Sequence, residues 1–261
     1  AIQGLVLTDL LQEVLLRVRP YEREEGSAMR LYRRWNTLVR EFMVDPSYSP
    51  TEGRRVGFKW LCRRMVKEFD ELPLLDIPRK PLVKFQPDAN NNVIGVIEDE
   101  GCEAVMPGLM GFFLQSLETG QWRYENFGLD RSGRYLKKLA LWYIEQTQRT
   151  ADRALVATNG KFEVPERIHD MAARAQRVIS LGTQAGEGWL LVAEMMHLIE
   201  HGTPNIICAQ PFACLPNHVT GRGMFHEIRR QHPEANIVSI DYDPGSSEAN
   251  QLNRIKLMIA A

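Results

Sequence analysis

Residues 205–260 read NIICAQPFACLPNHVTGRGMFHEIRRQHPEANIVSIDYDPGSSEANQLNRIKLMIA, and their reading decides the fold. NIICAQPFACL (205–215) is an apolar run that reads as a strand. PNHVTGRG (216–223) reads as a loop and MFHEIRRQHP (224–233) as a helix. The order then repeats with strand NIVSIDYD (236–243), loop PGSSE and helix ANQLNRIKLMIA. Alternating strand and helix is the grammar of a parallel sheet, because parallel strands need a crossover connection. The same grammar appears upstream. LVKF (82–85) reads as a strand, QPDANNN (86–92) as a loop and VIGVIEDEG (93–101) as a helix. AVMPG (104–108) follows as a strand and GLMGFFLQSLE (108–118) as a helix. The expected fold is α/β, with a parallel-sheet, flavodoxin- or Rossmann-like three-layer core and additional helical segments.

Working outward, residues 1–80 are expected to form a mainly helical segment. Ile2, Leu5, Val6, Leu10, Leu11, Val14 and Leu15 recur at the 3/4 spacing of one helix face. The pattern is already running at the first residue, and there is no initiating Met, so the chain reads as a piece of a longer protein. A second helical pattern, GSAMRLYRRWNTLVREFM, has Ser27 at its start, where a hydroxyl can cap free N–H groups. Pro46, Ser47, Ser49, Pro50 and Gly53 break the chain before a third helix over 54–72. Pro73, Pro78 and Pro81 separate these helices from an α/β domain over 81–261. A charged helical insertion is expected at about 120–200.

Composition narrows the class. Of 261 residues, 44% are hydrophobic and 25% charged, as in ordinary globular chains. A net charge of −1 implies no basic face for nucleic acid. No apolar run approaches the roughly 20 residues that span a bilayer, and the first residues lack a charged signal-peptide start. No membrane association is expected. Four cysteines, Cys62, Cys102, Cys208 and Cys214, are too few for a disulfide scaffold, and a reducing cytoplasmic setting is expected. No CxxC pair occurs, and the six-residue spacing of Cys208 and Cys214 matches no zinc or ferredoxin pattern.

Ligands of open parallel sheets gather beyond the carboxyl ends of the strands. Three such ends are polar here: Gln86 to Asn92 with Asn90, Asn91 and Asn92 in the first, Gln210 to His218 in the second, and Asp241 to Ser247 with Tyr242 and Asp243 in the third. Each precedes a helix, whose free N–H groups and dipole suit a phosphate or carboxylate. The GTQAGEG loop, with Glu187 near its end, opens a fourth helix. The candidate cleft residues are therefore Asn90, Asn91, Asn92, Glu187, Pro211, Asn217, His218, Asp241 and Asp243. The ordinary explanation for Asn, Asp and Ser at such turns is capping. GRG at 221–223 is not a dinucleotide fingerprint, and GTQAGEGW lacks the Lys-Ser/Thr ending of a P-loop. No Ser/His/Asp triad is visible around His218, so the catalytic residues are not assigned. Cys62 and Cys102 read as buried small hydrophobes. Cys214, between Pro211 and Pro216 just past a strand, is the candidate metal ligand.

VLTDLLQEVLLRVRPYE (6–22), KFQPDANNNV (84–93), VMPGLMGFFL (105–114), GEGWLLVAEMMHLIEHG (186–202) and the run from Gln210 to Ile259 carry a family likeness. The chain resembles the C-terminal, dehydratase-subunit-like region of the large 2-hydroxyacyl-CoA dehydratase activases, in the 2-hydroxyglutaryl-CoA dehydratase family. The resemblance implies a soluble protein of anaerobes related to ATP-driven electron transfer for 2-hydroxyacyl-CoA dehydration. It implies a [4Fe-4S] cluster in the complete protein, with Cys214 matching the cysteine of a PFGCLPNH-type motif. ATP would be used only through an activase region that this sequence does not contain, so the chain alone is not expected to be catalytic. Expected partners are an acyl-CoA, dehydratase or activase domains, and a second copy of the chain. The alternative reading is a CoA- or nucleotide-binding or assembly module without its own catalysis.

Overall fold

A computed structural model of the protein describes residues 1–18, 26–46, 57–72, 79–84 (backbone), 93–129, 131, 133–211, 214–242 and 247–260. The chain divides into two compact units. One comprises Ala1–Asp76, Gly108–Met110 and Tyr135–Glu166; the other comprises Ile77–Pro107, Gly111–Arg134 and Arg167–Ala261. The expected insertion at about 120–200 is thus shared between the two units, with 135–166 grouped with the first helices.

The helical unit contains α1 (Ile2–Val18), α2 (Ser27–Val44), α3 (Phe58–Asp70) and most of α6 (Arg134–Val156). Leu7, Leu11, Val14 and Val18 of α1 share one face and are buried, which is the amphipathic pattern read from sequence. Trp35, Phe42, Leu61, Met65 and Phe69 complete the core between α2 and α3. Glu68 is buried there with three donors. Trp35 Nε1 and Arg34 Nη1 reach its Oε2 at 3.0 and 2.7 Å, and Arg64 Nε reaches Oε1 at 2.6 Å. Three donors satisfy its oxygens, which offsets the cost of burying a carboxyl group. Lys161 binds the carbonyl of Leu72 at 2.6 Å, one of the links that hold 135–166 to the early helices. Ser27 does not cap α2. Gly26 is the N-cap, Ser27 is the first helical residue, and its Oγ instead accepts from Arg30 Nη2 at 3.2 Å.

The second unit carries a four-stranded, all-parallel sheet in the order β2-β1-β3-β4. The strands are β1 (Arg79–Lys84), β2 (Glu103–Val105), β3 (Asn205–Gln210) and β4 (Asn236–Asp241). Its helices are α4 (Val93–Asp99), α5 (Met110–Phe127), α7 (Ile168–Ala175), α8 (Leu190–Glu200), α9 (Phe225–Gln231) and α10 (Glu248–Ala260). The α/β class is as expected. β1 begins three residues before LVKF and includes Pro81. Proline denies the ladder a donor, and the β1–β2 register slips between Arg79 and Leu82, around that residue. α8 is buried from Leu190 through Met196, as a helix apolar on every side must be. Met195, Met196 and Ile199 of α8 pack in one cluster with Ile206 and Cys208 of β3, Ile237 of β4, and Phe225 and Ile228 of α9. Among the described residues no helix is long and apolar enough to cross a membrane.

Two expectations near β3 need correction. The strand does not run to 215. It ends at Gln210, because Pro211 has no N–H to continue the ladder. Residues 216–223 are not a loop. They form a π-helical stretch, Pro216–Gly221, and a 3-10 turn, Arg222–Met224, that lead straight into α9. Pro216 is tolerated because the first N–H groups of a helix have no intrahelical partner. Thr220 Oγ1 then donates to the Pro216 carbonyl at 2.6 Å.

Candidate functional site

The ends of β3 and β4 coincide, since Gln210 is registered with Asp241. Both carboxyl ends therefore open on one edge of the sheet, where ligands of this fold class bind. Gln210 is fully buried, and its Nε2 donates to Asp241 Oδ1 at 2.6 Å. The same nitrogen lies 3.3 Å from His218 Nε2. His218 Nδ1 is 3.0 Å from the carbonyl of Cys214. A carbonyl only accepts, so Nδ1 carries the proton and Nε2 accepts from the Gln210 amide. His218 Nε2 is 4.0 Å from Asp241 Oδ1, outside hydrogen-bonding distance, so Gln210 is the link between the two.

Cys214 starts the helical run. Its N–H donates to the Pro211 carbonyl at 3.2 Å, and its own carbonyl accepts the His218 N–H at 3.0 Å. Asn217 is buried beneath it and directs Nδ2 at Cys214 Sγ, 3.3 Å away. An amide donor aimed at sulfur suits a sulfur that acts as an acceptor or a ligand. Cys214 is only partly buried, whereas Cys62, Cys102 and Cys208 are buried. Burial pushes the Cys62 thiol up to about 12, which makes it inert. Cys208 faces Gly221, where an added Cβ would lie 3.4 Å from its sulfur.

The Gly-rich loop before α8 reaches the same place. Gly186 has φ +60°, and a Cβ there would stand 2.6 Å from Pro216 Cγ. Its backbone therefore lies against the proline that follows Cys214 and Leu215. Glu187 is buried, and its carbonyl accepts from Gln115 Nε2 at 3.2 Å and from the Leu190 N–H at 2.9 Å. These bonds give Glu187 a part in holding the turn into α8.

Of the residues singled out in the sequence, the structure brings Cys214, Asn217, His218 and Asp241 into one bonded cluster, with Pro211 exposed at its margin. Asn90, Asn91, Asn92 and Asp243 lie outside the described residues. Gln210, the centre of the cluster, opens the second polar strand end in the sequence but is not singled out there as a site residue. Its signal was a polar residue ending an apolar strand immediately before a proline. Three polar atoms in this region are buried with no hydrogen-bond partner among the described residues: Gln210 Oε1, Asn217 Oδ1 and the Tyr242 hydroxyl. Burial raises the Tyr242 phenol above its ordinary range.

Among the described residues no group of three or more His, Cys, Asp and Glu side chains is placed to hold a metal ion. A four-iron cluster needs three or four thiolates. The described residues offer this edge Cys214 as its cysteine, which fits a single ligand and not a complete cluster. The described part of the chain thus defines an α/β unit with a polar, cysteine-bearing rim at its carboxyl edge. Compared with known proteins, the chain matches no family model, no curated protein and no solved structure.

Proposed function

We propose that the chain is part of a cytoplasmic iron–sulfur redox protein related to the 2-hydroxyacyl-CoA dehydratases and their activases, and that Cys214 is one ligand of its [4Fe-4S] cluster. The observation that carries this reading is the Asn217 Nδ2–Cys214 Sγ contact of 3.3 Å at the carboxyl edge of the sheet. Hydrogen bonds to cluster sulfurs tune reduction potential, so a buried amide fixed on the ligand sulfur has a chemical use. When bound, the cluster would supply one-electron transfer at low potential. The chain's own residues position Cys214: Pro211 and His218 hold its backbone, and Gln210 orients His218. The remaining ligands would come from other polypeptide, as would ATP hydrolysis.

The same reading makes the sheet unit a flavodoxin-like three-layer core. The strand order 2-1-3-4 supports it. With right-handed crossovers, α4 between β1 and β2 and α9 between β3 and β4 fall on opposite faces, because the two connections run in opposite directions along the sheet. The test is the charge-transfer absorption of the longer, full-length protein isolated without oxygen. Cys214→Ala should lose that absorption, and an unchanged spectrum would remove Cys214 from the cluster.

A second reading is a binding module for a CoA or nucleotide phosphate. It is favoured by Gly186 abutting Pro216, which sets two stretches of backbone side by side at the start of a helical run. Titration calorimetry with CoA esters separates the two. Binding by iron-free protein favours the module, and absence of binding disfavours it.

A further inference from the structure

The helical unit carries an exposed apolar stripe on its described residues. Tyr135, Leu136, Leu139, Trp142 and Tyr143 of α6 are exposed by 76%, 70%, 59%, 56% and 49%. At 100° per residue these five fall within an arc of about 120°, so they form one stripe. The stripe is about 12 Å long at the rise of an α-helix. Of the buried residues of the same helix, Ile144, Thr147, Ala151 and Leu155 lie on a different arc and Ala154 lies in its last turns, so the stripe in the first half is surplus to the core. On its face the next turns carry Gln146, Arg149, Thr150 and Arg153, which confine it to the first half of α6. Contiguous exposed apolar surface of this kind marks an interaction site.

Charge placement identifies the occupant. Lys138 and Glu145 are seven residues apart and lie on the same flank of the stripe. In an antiparallel pair related by a two-fold axis, like flanks face each other with the chain direction reversed. Centred between Leu141 and Trp142, that symmetry sets Lys138 of one copy against Glu145 of the other, twice. Leu139, Trp142 and Tyr143 then meet across the axis. We propose that this face of α6 is a homodimer interface formed by antiparallel pairing of α6 with α6 of a second copy. It stands independently of the reading of the sheet edge.

Sedimentation equilibrium across a concentration series, with circular dichroism as a check on folding, tests it. The protein should be a dimer. Trp142→Glu and Leu139→Glu, both at exposed positions, should weaken association about tenfold or more while leaving the helical signal unchanged. Lys138→Glu should weaken it less, and Lys138→Glu with Glu145→Lys should restore it. A protein that stays monomeric at its highest soluble concentration would overturn the proposal, as would a dimer unaffected by both apolar substitutions. Failure of the charge-swapped double variant to recover would overturn the antiparallel register.

Discussion

The side-chain amide of Gln210 meets the carboxylate of Asp241 at 2.6 Å, across the last registered pair of β3 and β4. One side chain therefore ties two strand ends together and presents its second N–H to His218. Gln210→Leu removes both donors at a fully buried position. It also removes Oε1, which has no partner among the described residues, and that offsets part of the loss. The expected cost is about 1–2 kcal/mol in chemical denaturation. The accompanying sign is a change of tautomer balance at His218, read by nitrogen chemical shifts.

Thiol accessibility follows from the contrast among the four cysteines. Three are buried and Cys214 is not. An aromatic disulfide reagent applied to the native protein should titrate one thiol quickly, and Cys214→Ala should abolish that phase. A fast phase that survives the substitution would mean that another cysteine is the open one.

Asp9 predicts a pH dependence. Its carboxylate accepts from the N–H groups of Leu109 and Met110 at 3.1 and 2.8 Å, yet burial outweighs these bonds and raises its pKa from 3.8 to about 6. The folded protein then holds this proton more tightly than the unfolded chain between about pH 4 and 6. The contribution is fully present below the unfolded value and is lost as pH rises through about 6. It amounts to about 1–3 kcal/mol. Denaturant titrations of the wild type and Asp9→Asn at pH 4 and pH 7 should show the wild type losing stability relative to the variant. Parallel pH profiles would contradict the assignment.

Glu68 anchors the helical unit through Trp35, Arg34 and Arg64. Glu68→Ala leaves the indole N–H of Trp35 buried without its acceptor. A loss of about 2–3 kcal/mol is expected, because an orphaned buried donor costs more than the net value of its bond. Trp35→Phe with Glu68→Ala should recover part of it, since the orphan is then gone.

The loop before α8 depends on Gly188, at φ +48°. A Cβ there would stand 2.2 Å from the Thr183 carbonyl oxygen. Gly188→Ala should cost about 2 kcal/mol or more and displace the turn. Gly57→Ala, where a Cβ meets nothing and φ is −105°, should cost less, with only the weaker N-cap of α3 to lose.

Periodicity made the strands and most helices legible, because burial on one or both faces writes itself into spacing. β3, β4, α1 and α8 were visible for that reason. What failed was punctuation. Pro216, Gly221 and Gly223 read as a loop, yet a proline at the start of a helical run and a π-helical stretch are both compatible with helix. Pro81 hid the first half of β1, since a proline in a central strand is tolerated there only through a register slip. The attachment of 135–166 to the early helices was not legible, because it rests on contacts such as Lys161 to Leu72 that leave no local period. The site was half legible. Cys214 stood out between two prolines and Asn217 and His218 just beyond the second, whereas Gln210 was legible only as the boundary between the strand and its polar end.

The central claim is that the sulfur of Cys214 takes iron. Its most direct measurement is the iron and acid-labile sulfide content of the full-length protein to which this chain belongs, prepared without oxygen, beside Cys214→Ala prepared in the same way. The account predicts that the wild type carries both and that the variant loses most of each while keeping its helical spectrum. Equal iron and sulfide in the two proteins would contradict it.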